Sequence, residues 1–130
     1  MGRVWRRRYE PGDPVLAAVL GAIGHLPETH HEETWGVITL RVGRKLFGVF
    51  GGGVDGEGRW LVFKPDPAER AALDADPRMR VAPHFKAWLE LNLEARPDWD
   101  EVRELLTDSY VLIAPRTLAA SAIQSTEPLA

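Results

Sequence analysis

The chain reads as an α+β domain, an antiparallel sheet with flanking helices, and three features of the sequence predict it. The stretch Thr34 to Phe50 (TWGVITLRVGRKLFGVF) alternates like two strands folded over a tight turn. Asp13, Asp66 and Asp98 each open a segment with helical signals, so helices bracket the strands. The links between strands are short, which joins neighbours antiparallel and leaves the helices to pack on one face.

Residues 1–12 are basic and aromatic, with Arg3, Arg6, Arg7 and Arg8, and read as a flexible basic arm. Asp13 then suits a helix N-cap, because its carboxylate accepts from the first free N–H groups, and Pro14 suits the first helical position. Val15, Leu16, Val19, Leu20 and Ile23 form one apolar face, and Gly24 and Pro27 end the helix. Pro27 to Glu33 (PETHHEE) reads as a polar loop. His30 and His31 lie beside carboxylates there, but adjacent residues diverge and the spacing matches no zinc motif, so no metal is expected.

In the first strand Val37, Thr39 and Arg41 point one way and Ile38, Leu40 and Val42 the other. Gly43-Arg44 makes the turn, with glycine at the position where a type II′ hairpin needs positive φ. In the second strand Leu46 and Phe50 are expected to alternate with Lys45, Phe47 and Val49. Gly51 to Gly58 reads as a flexible hairpin loop, since it leads into a strand and not into the helix N-terminus that a phosphate loop needs. Arg59 to Lys64 is the third strand.

Asp66 opens a helix over Pro67 to Ala75, with Glu69 completing a capping box. Arg78 to Pro83 is short and extended, and Trp88 to Glu94 is a strand. Leu89, Leu91 and Leu93 should face inward, Glu90, Asn92 and Glu94 outward. Asp98 caps the last helix, whose inner stripe is Val102, Leu105, Leu106, Ser109, Tyr110 and Ile113 and whose end is Pro115. One domain therefore spans 13–115, and 116–130 reads as a C-terminal tail.

A length of 130 residues suits one domain with a real core. The absence of cysteine excludes disulfides, thiolate metal sites and cysteine nucleophiles, and fits a cytoplasmic protein. The longest apolar run, Val15 to Ile23, is about half of what a bilayer crossing needs, so no membrane segment is expected. The formal charge of −3 lacks the basic excess of a dedicated nucleic-acid binder.

Five segments taken together resemble the MmcQ/YjbR family. They are Trp35-Gly36 at the first strand, the RVGRKLFGVF hairpin, VFKPDPAE, PHFKAWLELNL and the helix carrying DSYVLIAPRTLA. The resemblance implies a frataxin-like, CyaY-like or double-wing arrangement, and the family label implies DNA binding, with no established reaction. Ala87 departs from the pattern, standing where family members often have glycine before the tryptophan.

Arg41, Arg44, Lys45, Arg59, Lys64, His84, Lys86 and Trp88 are the candidate nucleic-acid residues. Lys45 and Lys64 are expected to share a sheet face with Phe47 and Trp60, phosphates to lysine and bases to rings. The alternative for the same residues is structural, with Lys and Arg stems covering apolar sheet surface. Ser109-Tyr110 lies on an inner helix stripe and reads as packing, not as a nucleophile. The acids of the last helix suit its N-terminal dipole and do not make an iron-binding ridge. The leading expectation is therefore a DNA-binding module without catalytic activity or cofactor. A protein-interaction or regulatory module comes second. A small-molecule site or enzyme with a His84/Lys86 pocket comes third.

Overall fold

The computed structural model describes residues 6–53, 56–85 and 87–126. Its centre is a six-stranded sheet in the order β1-β2-β3-β4-β6-β5, with every neighbouring pair antiparallel. The strands are β1 (Thr29–Thr34), β2 (Val37–Val42), β3 (Lys45–Gly51), β4 (Trp60–Phe63), β5 (Met79–Val81) and β6 (Leu89–Asn92). The helices are α1 (Pro14–Ala22), α2 (Arg70–Asp74), α3 (Trp99–Ile113) and α4 (Arg116–Thr126). None of the described helices is long and apolar enough to cross a membrane.

Local chemistry explains most of these elements. Asp13 caps α1, accepting from the Val15 N–H at 2.9 Å, and Asp98 caps α3 through the Asp100 N–H at 2.9 Å. Gly43 has φ +61°, as the expected hairpin turn requires. The apolar side of the sheet and the stripe of α3 close one core, in which Leu40, Phe47, Leu61, Phe63, Leu91, Leu106 and Tyr110 are fully buried. Gly48 lets α3 come close, because a Cβ there would press on the side chains of Leu40 and Leu106.

Several features differ from the sequence expectation: the helix expected over Pro67 to Ala75 is only Arg70–Asp74, and Glu69 makes no capping hydrogen bond. Residues 29–34 form a strand, not a loop. As an edge strand exposed on both sides it carries no apolar alternation to read, and its histidines and glutamates deter pairing with another chain. β3 carries a bulge: Leu40 pairs with Gly48 and Arg41 with Leu46, which leaves Phe47 as an extra residue. The alternation therefore shifts. Phe47 drops into the core instead of sharing a face with Lys45 and Val49, and its ring meets Tyr110 edge-on at 5.5 Å.

Beyond Pro115 the chain turns into α4, whose Ala119 and Ala122 are buried. An alanine-rich face gives little hydrophobic signal, yet its small side chains permit close helix packing. At the other end the arm from Arg6 onward lies against the sheet. The Arg8 N–H donates to Gly36 O, and Arg8 O accepts from the Gly52 N–H, both at 2.7 Å. The first five residues of the expected arm and the last four of the expected tail, 127–130, lie outside the described residues.

Ala87 has φ +68°, the left-handed region that glycine enters without strain. Here alanine carries that strain.

Candidate functional site

The helices cover one face of the sheet. On the other face period-2 alternation sets Thr39, Val49, Val62, Glu90 and Arg80 in a single cross-strand row. The next row on the same face holds Gly51, Trp60 and Asn92. Val37, Val49, Val62 and Ala82 form a small second cluster here, with Leu46, Phe85 and Trp88 packed around it. A cavity of about 440 Å³ opens on this surface. Its floor is Val37, Val49 and Val62, and the side-chain-free run Gly51 to Gly53 leaves the space empty of rings.

Aromatic groups and backbone form the walls. Trp60 lines one side and is itself covered by the Arg80 guanidinium, 3.6 Å from the ring centroid. The β5–β6 loop contributes Pro83, His84 and Phe85, and Trp88 backs Phe85 in a stacked contact at 5.6 Å. Trp35 stands on the rim, 45% exposed. It and Gly36 form the turn between β1 and β2 with φ of +56° and +80°, values that belong to type I′ turns and favour Asn and Gly. A tryptophan there costs about 1–2 kcal/mol of backbone strain. Strain of that kind collects at binding surfaces. Gly36 is needed for another reason: a Cβ would overlap the Arg6 carbonyl oxygen, so glycine admits the arm that brings Arg8 to the cavity.

The charges of the cavity are unequal. Glu90, expected to face outward into solvent, is only 4% exposed and is held by the Arg80 Nε. Its charge is thereby offset, which is what lets a carboxylate sit at the edge of an apolar floor. Arg8 donates Nη1–H to Gly53 O at 3.2 Å and has no carboxylate partner among the described residues.

The expected site residues divide. His84 and Trp88 belong to the cavity and its support. Arg41 is on the same face but committed, 2.9 Å from Glu32 and hydrogen-bonded to Thr39 and Arg44 O. Arg59 lies between Asp13 at 2.5 Å and Glu94 at 2.8 Å. Arg44 and Lys45 are exposed at the β2–β3 turn, and Lys64 is half-buried beyond β4. The shared face of Lys45, Lys64, Phe47 and Trp60 does not form, because the bulge at Phe47 breaks the alternation. Lys86 lies outside the described residues. Trp35, Phe85, Glu90 and Arg8, which line the cavity, are not among the site candidates read from sequence. The available signal was a tryptophan directly before glycine in a position that a tight hairpin needs.

A smaller depression of about 180 Å³ lies beside α3, lined by acids that include Asp66, Glu69, Glu104 and Asp108. Among the described residues no group of three or more His, Cys, Asp or Glu could hold a metal ion. Burial, with Asp66, Glu104 and Glu69 adding repulsion, pushes the Asp108 carboxyl up to about 6. The folded chain thus holds this proton to a higher pH than the unfolded chain does. The associated stability is complete below about pH 4 and is lost as pH rises through about 6. Asp108→Asn is expected to raise the melting temperature near neutral pH and to leave it unchanged below about pH 4. Equal melting temperatures of the two chains near neutral pH would contradict this.

A YjbR family model matches residues 24–112. The crystal structure of Deinococcus radiodurans protein DR2400, a DUF419 domain, aligns with a TM-score of 0.66 at 18% identity, over 87% of this chain and 88% of that one. That likeness is one of fold. No curated protein matches the sequence.

Proposed function

The chain belongs to the YjbR family, and from that premise we propose that it is a non-catalytic binding module taking a small, largely apolar molecule on its open sheet face. The observation that carries this reading is the cavity of about 440 Å³, apolar in its floor and aromatic in its walls. Its size lies within the range of small-molecule sites, and such sites combine apolar walls with a few polar groups. Except for Arg8, every residue lining it falls within the family-matched segment 24–112.

The non-catalytic part rests on what surrounds the polar groups. Glu90 is committed to Arg80, and no hydrogen bond among the described residues orients His84 as a general base requires.

The test uses the neutral dye phenylnaphthylamine, which fluoresces in apolar surroundings. Binding to the full chain with one site is expected. Val62→Trp, which fills the floor of the cavity, should weaken it about tenfold or more while the circular dichroism and melting point stay close to the parent. Undiminished binding in that variant would remove the cavity as the site.

A second reading keeps the nucleic-acid expectation, and the exposed Arg44 and Lys45 at the β2–β3 turn favour it. Its signature is DNA affinity that falls steeply with salt, is lost in Lys45→Glu and survives in Val62→Trp.

A further inference from the structure

We propose that the open-face cavity selects an aromatic anion, a planar ring system bearing one carboxylate, sulfonate or phosphate group, with Arg8 as the anion anchor. The inference rests on the binding role proposed above and adds the ligand class.

Shape and charge lead to it separately. Trp35, Trp60 and Phe85 converge from the β1–β2 turn, β4 and the β5–β6 loop, three positions far apart in sequence. Flat side chains on several sides of an apolar floor fit a flat ligand better than a branched one, and offset or edge-on ring contacts add to simple burial. The Arg80 guanidinium occupies a face of Trp60, so a second cation stacked there would meet repulsion.

The charge balance excludes a cationic ligand. Of the charged groups at the cavity, Glu90 is neutralised by Arg80, a nearly buried carboxylate already holding its partner. Among the described residues Arg8 has no carboxylate partner and makes a single side-chain hydrogen bond, to a carbonyl, out of the five N–H donors of its planar fork. Arginine in partly dehydrated surroundings pairs well with carboxylate, sulfonate or phosphate oxygens. Its neighbour Arg7 differs: it pairs with Glu33 at 3.3 Å.

The arm is built to deliver this one side chain. Arg8 is fixed by its backbone, between Gly36 and Gly52, and its side chain spends one N–H on Gly53 O, which leaves its other donors for the ligand. For the same reason a substitution of the side chain keeps the arm in place. Arg8 precedes the family-matched segment 24–112, so the anchor belongs to this chain's own arm and not to the part matched by the family model.

Two dyes with the same ring skeleton test the inference on the full chain. Anilinonaphthalene sulfonate carries the anion; phenylnaphthylamine lacks it. The sulfonate is expected to bind about tenfold more tightly at low salt, as one charge-assisted hydrogen-bonded pair would give. Arg8→Gln should abolish that preference while the affinity for the neutral dye stays within about twofold. Arg8→Lys should retain much of it, and Arg7→Gln all of it. Equal affinities of the two dyes in the parent chain, or a preference that survives Arg8→Gln, would overturn the anion assignment alone. If neither dye binds, the cavity fails as a site and both readings fall together.

Discussion

Replacing Phe47 by alanine is expected to lower the unfolding free energy by about 3–5 kcal/mol. Phe47 is fully buried, and as the extra residue of the β3 bulge it projects into the helix-covered core. Its ring stands edge-on to Tyr110, and Tyr110 is itself tied to the chain by its hydroxyl, which donates to Pro27 O at 2.6 Å. The surroundings are therefore held in place and cannot collapse into the hole. Against a typical domain stability of about 5–15 kcal/mol, such a loss leaves the variant marginal. Urea unfolding with an unchanged slope measures it. A loss under about 1.5 kcal/mol would mean that Phe47 packs on the open face, as simple alternation requires.

Ser109→Ala is expected to cost about 2–4 kcal/mol, large for the removal of one oxygen. The Ser109 hydroxyl donates to Phe47 O at 2.6 Å and accepts from the Lys64 N–H at 3.0 Å. It thus satisfies backbone groups from two strands that the sheet leaves unpaired, one at the bulge and one just past the end of β4. Alanine would leave both without a partner in a site from which Ser109 itself excludes water, being fully buried. Intrinsic helix propensity works in the opposite direction, since alanine is the better helix former. A measured loss therefore reports the lost hydrogen bonds and not the helix. Ser121→Ala, at an exposed position of α4, serves as the comparison and should change stability by less than about 0.5 kcal/mol. Equal effects at the two serines would remove the bridging role.

Much of the fold is legible in short windows of sequence. Asp13-Pro14 and Asp98 announce α1 and α3, and Gly43 announces the hairpin turn, because caps and turns depend on residues a few positions apart. Alternation sets Ile38, Leu40 and Val42 on one face of the strand, and that face is the core. It fails at Phe47, where one extra residue reverses the rule, and the hydroxyl that bonds Phe47 O belongs to Ser109, 62 residues away. It also misplaces Glu90. That residue faces away from the helices, as alternation says, but the face it joins is buried by Trp60, Arg80 and the β5–β6 loop.

The site was legible only in fragments. His84 and Trp88 stand out as residues of unusual type, and both prove to be part of the cavity or its support. The arginines and lysines beside them in the sequence reading are sorted by contacts that no local pattern encodes. Asp13 takes Arg59 from 46 positions away, while Glu32 takes Arg41 across a strand pair. Arg8 looked like one of several charges on a loose arm. What distinguishes it is where its backbone is pinned.

By itself, then, the sequence determined the class of the domain, the starts of α1 and α3, the turn of the β2–β3 hairpin and much of the helix-covered core. These follow from capping, turn chemistry and periodicity, which act over one or a few turns of chain. Only the tertiary structure decided which face stays open, where alternation breaks, and which cation at the cavity has no carboxylate partner among the described residues. Those outcomes depend on segments distant in sequence meeting over the sheet: the arm at Arg8, the strained turn at Trp35, β4 at Trp60 and the loop at Phe85. Their convergence is a property of the packed chain, set by strand order and close approach at Gly36 and Gly51, and not of any stretch of residues read alone.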